Sequence, residues 1–286
     1  MSRDYLERKE IGDYRISIYP DYDAECPVRN WDMGAIHLFE HLERGRYWLS
    51  SECDWKEWVS NYREESITSI LQRMVATWVS QDDLIKYIKA GNIKGLRFVY
   101  NRHERMWQEQ IQYARAGRRQ DEWDTVFEVE PSDLKVYDYC DELLECLEDD
   151  DDLIAIIEAC AKDVVIKSWS SCGYCQGDCM RGVSYITKER FDETCGFSPS
   201  HYKTWQEQAL AVIEGEVKCI ELWAWGDVKG FVLEKKVSFT KVYDDEDRED
   251  EEDFEWKEID SCWGHFMETE ELIKEVMSEH DLKDVT

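Results

Sequence analysis

Three cysteines crowd the stretch SCGYCQGDC, residues 171 to 179: Cys172, Cys175 and Cys179. Thiolates at this spacing suit either a metal ion or a redox couple. Zinc takes four ligands in a tetrahedron, so a fourth would have to come from Cys195, His201 or Cys262, none of which belongs to a second close-spaced pair. A redox Cys-x-x-Cys opens a helix, whose dipole favours the thiolate, whereas Gly173 and Gly177 place this pair between two expected strands. His37 and His41 are four apart, but HLFEH puts its glutamate in the wrong place for a zinc-protease base, and the pattern around His37 is that of a strand. A structural or surface role is expected for both. There is no G-x-S-x-G and no G-x-x-x-x-G-K-[ST]. An enzyme would have to be built around Asp178, Asp227 and Asp260, which show no acid–base partner. The expectation is a chain with no catalytic residue, no cofactor and no metal, and a metal-stabilised binding module using the cysteine loop is the alternative.

Charge is the stronger signal. The 286 residues carry a formal net charge of −30. Residues 1–120 hold 19 Lys and Arg against 19 Asp and Glu, so the remaining 16 bases and 46 acids all follow residue 120. Self-repulsion on this scale costs stability and exceeds what solubility needs. A charge-complementary partner follows, with halophilic adaptation or a flexible acidic loop as competing sources. The candidate partner-binding acids form two runs: Asp149, Asp150, Asp151 and Asp152, then Asp244, Asp245, Glu246, Asp247, Glu249, Asp250, Glu251, Glu252 and Asp253 around the single Arg248. The second run cannot make a core, and reads as a solvated hairpin insertion or as a decoy for a cationic groove. The basic stretch Lys94, Arg97, Arg102, Arg105, Arg115, Arg118 and Arg119 reads first as a solvated helical face or a partner for the chain's own acids, and only second as a nucleic-acid contact.

Hydrophobic content of 43% with 13 Trp, 15 Tyr and 9 Phe suffices for a packed core. Eleven cysteines, an N-terminus reading MSRDYLERKE and no apolar run near about 18 residues give the expectation of reduced thiols in a cytoplasm and no membrane contact. A Trp-rich surface that needs covering leaves a homo-oligomer open.

The elements that position these residues follow from periodicity. Alternation predicts strands at 13 to 19, 34 to 39, 163 to 169, 181 to 187, 216 to 225, 229 to 235 and 255 to 260. Trp223 and Trp225 would share one strand face, and WAWGDVKG reads as a tight hairpin. Helical spacing runs from Ile67 to Trp78 and, after a Ser80 cap, through Ile85 and Ile88 to Gly91. Further helices are expected over 132 to 148, 151 to 161, 201 to 214 and 268 to 278, with Asp149 to Asp152 joining or capping the first two of these. The sum is an α+β fold with small mixed or antiparallel sheets and a helical middle. Its expected parts are an N-terminal α+β module (1–84), a helical segment, basic then acidic (85–162), and a strand-rich acidic domain (163–286).

Three stretches carry a resemblance. DYDAECPVRNWDMGAIHLF (21 to 39) has a Trp-Asp-x-Gly segment; CGYCQGDCMRGVSYITKE (172 to 189) is built around Gln-Gly-Asp; GDVKGFVLE (226 to 234) precedes EIDSCWGHF (258 to 266). In that order they resemble a family of acidic accessory proteins of bacteriophages and related mobile elements. The likeness covers the first 50 residues and 163 to 266, and departs from the pattern at His265-Phe266-Met267. Where this chain has Cys175 and Cys179, the family often has Ser or Ala, which implies that the cysteines are incidental to the loop. The resemblance and the acidity together lead to a non-enzymatic inhibitor of a bacterial anti-phage defence complex (restriction, CRISPR or another nuclease system). It would act in the host cytoplasm by protein–protein contact with partial nucleic-acid mimicry. The partner expected is a host defence protein with a cationic nucleic-acid groove, not nucleic acid itself.

Overall fold

The fold was taken from a computed structural model, which describes residues 5–41, 47–51, 58–59, 65–93, 96–112, 123–129, 144, 147–172, 179–241 and 251–283. The chain divides into two compact units: residues 1–31 with 217–286, and residues 32–216. This differs from the three consecutive parts expected from the sequence, because strand pairing joins distant segments: β2 (Tyr14–Pro20) is hydrogen-bonded to β10 (Lys229–Lys241).

The first unit is an antiparallel sheet ordered β1 (Glu7–Ile11), β2, β10, β11 (Glu251–His265). Alternation in YRISIYP sends Ile16 and Ile18 to one face, where both are fully buried. Phe231, Leu233 and Ile11 share that face and pack under Leu272, Ile273 and Val276. These last three lie on the apolar stripe of the closing helix, Thr269–Glu279. Burial of each such side chain stabilises by about 1.5–3 kcal/mol. Lys235 pairs with Tyr14 and the Lys236 N–H reaches the Asp13 carbonyl at 2.7 Å; from there β10 and β11 pair with each other as far as Lys241 and Glu251.

The second unit centres on the antiparallel sheet β4 (Tyr47–Ser50), β3 (Ile36–His41), β9 (Cys179–Thr187), β8 (Val164–Cys172). Leu38, Val183, Tyr185 and Ile166 face helices α2 (Ile67–Trp78), α3 (Gln81–Lys89) and α4 (Asp150–Cys160) in one cluster. Ser66 and Ser80 cap α2 and α3 by accepting the N–H of Ser69 and Asp83, at 3.1 and 3.2 Å. Trp58 donates its indole N–H to the Tyr185 hydroxyl at 3.0 Å and meets Trp78 edge-on. A three-stranded sheet, β5 (Leu96–Asn101), β6 (Met106–Gln112), β7 (Trp123–Val129), completes the described part of this unit.

The α+β class with small antiparallel sheets is observed, and the middle segment contains strands as well as helices. The basic stretch forms no helical face: Arg97 lies on β5 and Arg102 and Arg105 in the turn to β6, while Lys94, Arg115, Arg118 and Arg119 lie outside the described residues. The helix expected over 132 to 148 also falls mostly outside them. Residues 216 to 225 are not a strand but the second half of a 20-residue helix, Trp205–Ala224. Its buried positions Ala209, Ile213, Val217, Ile220 and Ala224 keep helical spacing throughout. WAWGDVKG is therefore a helix terminus rather than a hairpin. Gly226 takes φ +73°, and Asp227 N–H reaches back to the Leu222 carbonyl at 2.8 Å. With α1 (Pro27–Asn30) and Lys188–Thr194 before them, Trp205–Ala224 is α6 and Thr269–Glu279 is α7. Among the described residues no helix is long and apolar enough to cross a membrane.

Candidate functional site

The first acidic run sits where α4 begins. Asp149 is the N-cap, and its carboxylate accepts the Asp151 N–H at 2.9 Å. Asp150 accepts the Thr68 hydroxyl at 2.7 Å, tying α4 to the start of α2. Gln72 fixes the approach to α4 by donating to the carbonyls of Leu144 and Leu147 at 2.7 and 2.9 Å. Glu148, Asp149, Asp150 and Asp151 form one wall of an open cleft of about 900 Å³, whose floor is Ser168, Trp169, Ser170 and Arg181 of β8 and β9. Four acidic residues and one arginine therefore line it. Asp152 points elsewhere and is half-buried. Burial, then the charges of Asp149 and Asp151, raise its pKa above the usual carboxylate value.

The second run lies at the end of the β10–β11 ribbon. Asp244, Asp245, Glu246, Asp247, Glu249 and Asp250 fall outside the described residues. Glu251, Glu252 and Asp253 are the first residues of β11. Asp253 is paired with Lys241, and this contact, followed by the Phe254 N–H, holds its carboxyl below the usual range.

A row that sequence reasoning missed runs along α7. Glu268, Glu271, Glu275 and Glu279 are exposed at intervals of three and four residues, and the last turn of the helix contains no basic residue. Carboxylates four apart on a helix are about 6 Å apart. Like charges at this spacing cost about 0.2–0.5 kcal/mol per pair, and the C-terminal dipole disfavours Glu275 and Glu279 further. Spacing alone would have revealed this row once the helix had been placed.

Another constellation brings a serine, a histidine and a glutamate together. His37 is fully buried; Nδ1 lies 2.8 Å from Ser184 Oγ and Nε2 2.9 Å from Glu216 Oε2. Glu216 also accepts the N–H groups of Gly34 and Ala35, at 2.6 and 2.9 Å. Ser184 Oγ receives the Trp169 indole N–H at 2.8 Å, which directs the hydroxyl proton toward His37. Ser184 is itself fully buried, so no substrate carbonyl can reach its oxygen. The group is a satisfied internal network linking β3, β9 and α6, not a nucleophilic site.

Of the cysteines, Cys172 and Cys179 are described and lie opposite each other in the register of β8 and β9; Cys175 and Asp178 lie outside the described residues. Among the described residues no group of three or more His, Cys, Asp or Glu is arranged to hold a metal ion. The side chain of His41 is not described. Asp227 and Asp260 do not pair as an acid and base: the Asp227 carbonyl accepts from Lys229, and Asp260 meets His280 at 2.9 Å. Trp223 lies on α6 and donates to the Ala24 carbonyl at 3.2 Å rather than sharing a strand face with Trp225. Comparison with protein-family models, with characterised proteins and with solved structures gave no match.

Proposed function

We propose that the chain is a non-enzymatic binding protein whose fixed carboxylates engage the cationic groove of a nucleic-acid-handling protein, as a polyanion would. The observation that carries this reading is the α7 row. Glu268, Glu271, Glu275 and Glu279 repeat along a helix clamped to the sheet by Leu272, Ile273 and Val276; successive members repel one another, and the last two stand at the end where the helix dipole disfavours them. Charge kept at a cost to the helix, and held in register by a buried face, is what competition for a phosphate site requires. The acidic wall of the α4 cleft supplies a second ordered group. Resemblance to phage accessory proteins supports the more specific form: an inhibitor of a bacterial anti-phage defence complex acting in the host cytoplasm.

The test is co-purification from host lysate at low and high salt, with the bound proteins identified by mass spectrometry. The wild-type chain retains a protein with a nucleic-acid groove at low salt and releases it as salt rises. Glu271→Lys/Glu275→Lys/Glu279→Lys loses it at both. Retention indifferent to salt and to the charge reversal overturns the reading.

A further inference from the structure

We infer that Cys172 and Cys179 are a reversible modification site: a dithiol that closes into a cross-strand disulfide by exchange with a low-molecular-weight disulfide. Three observations carry it. The two residues are direct partners at the end of the β8–β9 ladder. Both are exposed, so an oxidant reaches them from solvent. Their sulfurs lie 2.7 Å apart, inside contact distance and close to the roughly 2.05 Å of a covalent S–S bond. Closing the bond needs only a small movement of two side chains. The strands already hold their backbones opposite each other.

The third cysteine of the opening stretch is not needed. Each step balances. The thiolate of one cysteine attacks the small disulfide, giving a mixed disulfide and one small thiolate. The thiolate of the other then attacks the protein sulfur of that mixed disulfide and expels a second small thiolate. The protein loses two protons and two electrons, and the small disulfide is reduced to two thiols.

The pair has a defined place in the fold. Successive strand residues point to opposite faces, so Cys172 lies on the same face as Ser168 and Ser170, and Cys179 on the same face as Arg181. Those three residues are part of the floor of the acidic cleft. Oxidation would therefore fix the strand ends on the cleft side of the sheet.

Glutathione redox buffers applied to the full chain, followed by acid quench, alkylation, intact mass and peptide mapping, test this directly. The wild-type chain is expected to lose two hydrogens at one bridge mapped to Cys172 and Cys179. Cys175→Ser should keep that bridge undiminished. Cys179→Ser and Cys172→Ser should each lose it completely and stop at the glutathione adduct on the remaining thiol of the pair. A bridge that maps to Cys175, or a wild-type chain that stays fully alkylated or halts at the adduct, overturns the assignment.

Discussion

The two principal sheets solve the same burial problem differently. In the first unit one face of β1–β2–β10–β11 packs under α7, while the other carries Arg15 over Trp256 at 4.5 Å and a 39%-exposed Trp263 over Gly230. In the second unit the centre of β4–β3–β9–β8 is covered on both faces, and the Ser170–Cys172 and Cys179–Arg181 end opens on the cleft. One meets α2 and α4; the other holds Phe39, Trp169, His37 and Ser184, with Glu214 and Glu216 of α6 reaching Lys167 and His37. A sheet with one wet face tolerates change on that face. A sheet closed on both faces has to satisfy every polar group it encloses, and each of these groups becomes a point of failure.

The sharpest way to break the contrast is to attack each buried face in turn. Leu272→Ala removes a fully buried side chain from the helix that packs on the first sheet, and should cost about 3–4 kcal/mol. Hydrogen exchange should show the loss in β2 and β10. Glu216→Ala strands three donors, the N–H groups of Gly34 and Ala35 and the His37 ring. It should cost about 3 kcal/mol in urea denaturation, localised to β3 and β9. The glycines sharpen the comparison. A Cβ on Gly182 would lie 2.4 Å from a Trp169 ring held by Phe39 and Ser184, so Gly182→Ala should cost about 2 kcal/mol. A Cβ on Gly230 would meet Trp263 at 2.2 Å, yet that ring can swing into solvent, and the cost should stay below about 1 kcal/mol.

Smaller effects test the acidic wall. Asp149→Ala removes the α4 cap and should cost about 1 kcal/mol by thermal denaturation. Asp152 titrates higher in the folded state than in the unfolded chain, so the folded protein binds its proton more tightly. Its contribution is most favourable below the unfolded pKa and is lost as pH rises through the folded one. Asp152→Asn should therefore be the more stable chain at neutral pH, an advantage that should vanish on acidification below the carboxylate range. Denaturation of both chains across pH checks it.

Elements with one dominant period were readable in the sequence. Ser66 and Ser80 announce α2 and α3, the Asp149 run caps α4, and alternation marks β2, β3, β8, β9 and β10. The second half of α6 was not legible. Gly215 interrupts the helical pattern, and Val217, Cys219, Ile220 and the tryptophans that follow form a β-prone run. What overrides them is the continuous buried stripe from Ala209 to Ala224. The internal network was not legible either, because His37, Ser184 and Glu216 come from three distant segments that become neighbours only through β3–β9 pairing and α6. The acidity was visible, and Asp149 to Asp152 and Glu251 to Asp253 lie on described elements, but the α7 row was not singled out. Most of the loudest run lies outside the described residues, while the regular row on α7 is diluted in the sequence by Leu272, Ile273, Lys274 and Val276.

The hydrogen bonds between β2 and β10 have a consequence for biosynthesis. Tyr14 waits for Lys235, so more than two hundred residues must leave the ribosome before the first sheet can close. The enclosed second unit has every one of its strands available earlier, and it should fold first. Until then Ile16 and Ile18 are exposed apolar surface on the nascent chain, and the acidic segments that emerge later add charge that keeps the waiting polypeptide apart from its neighbours.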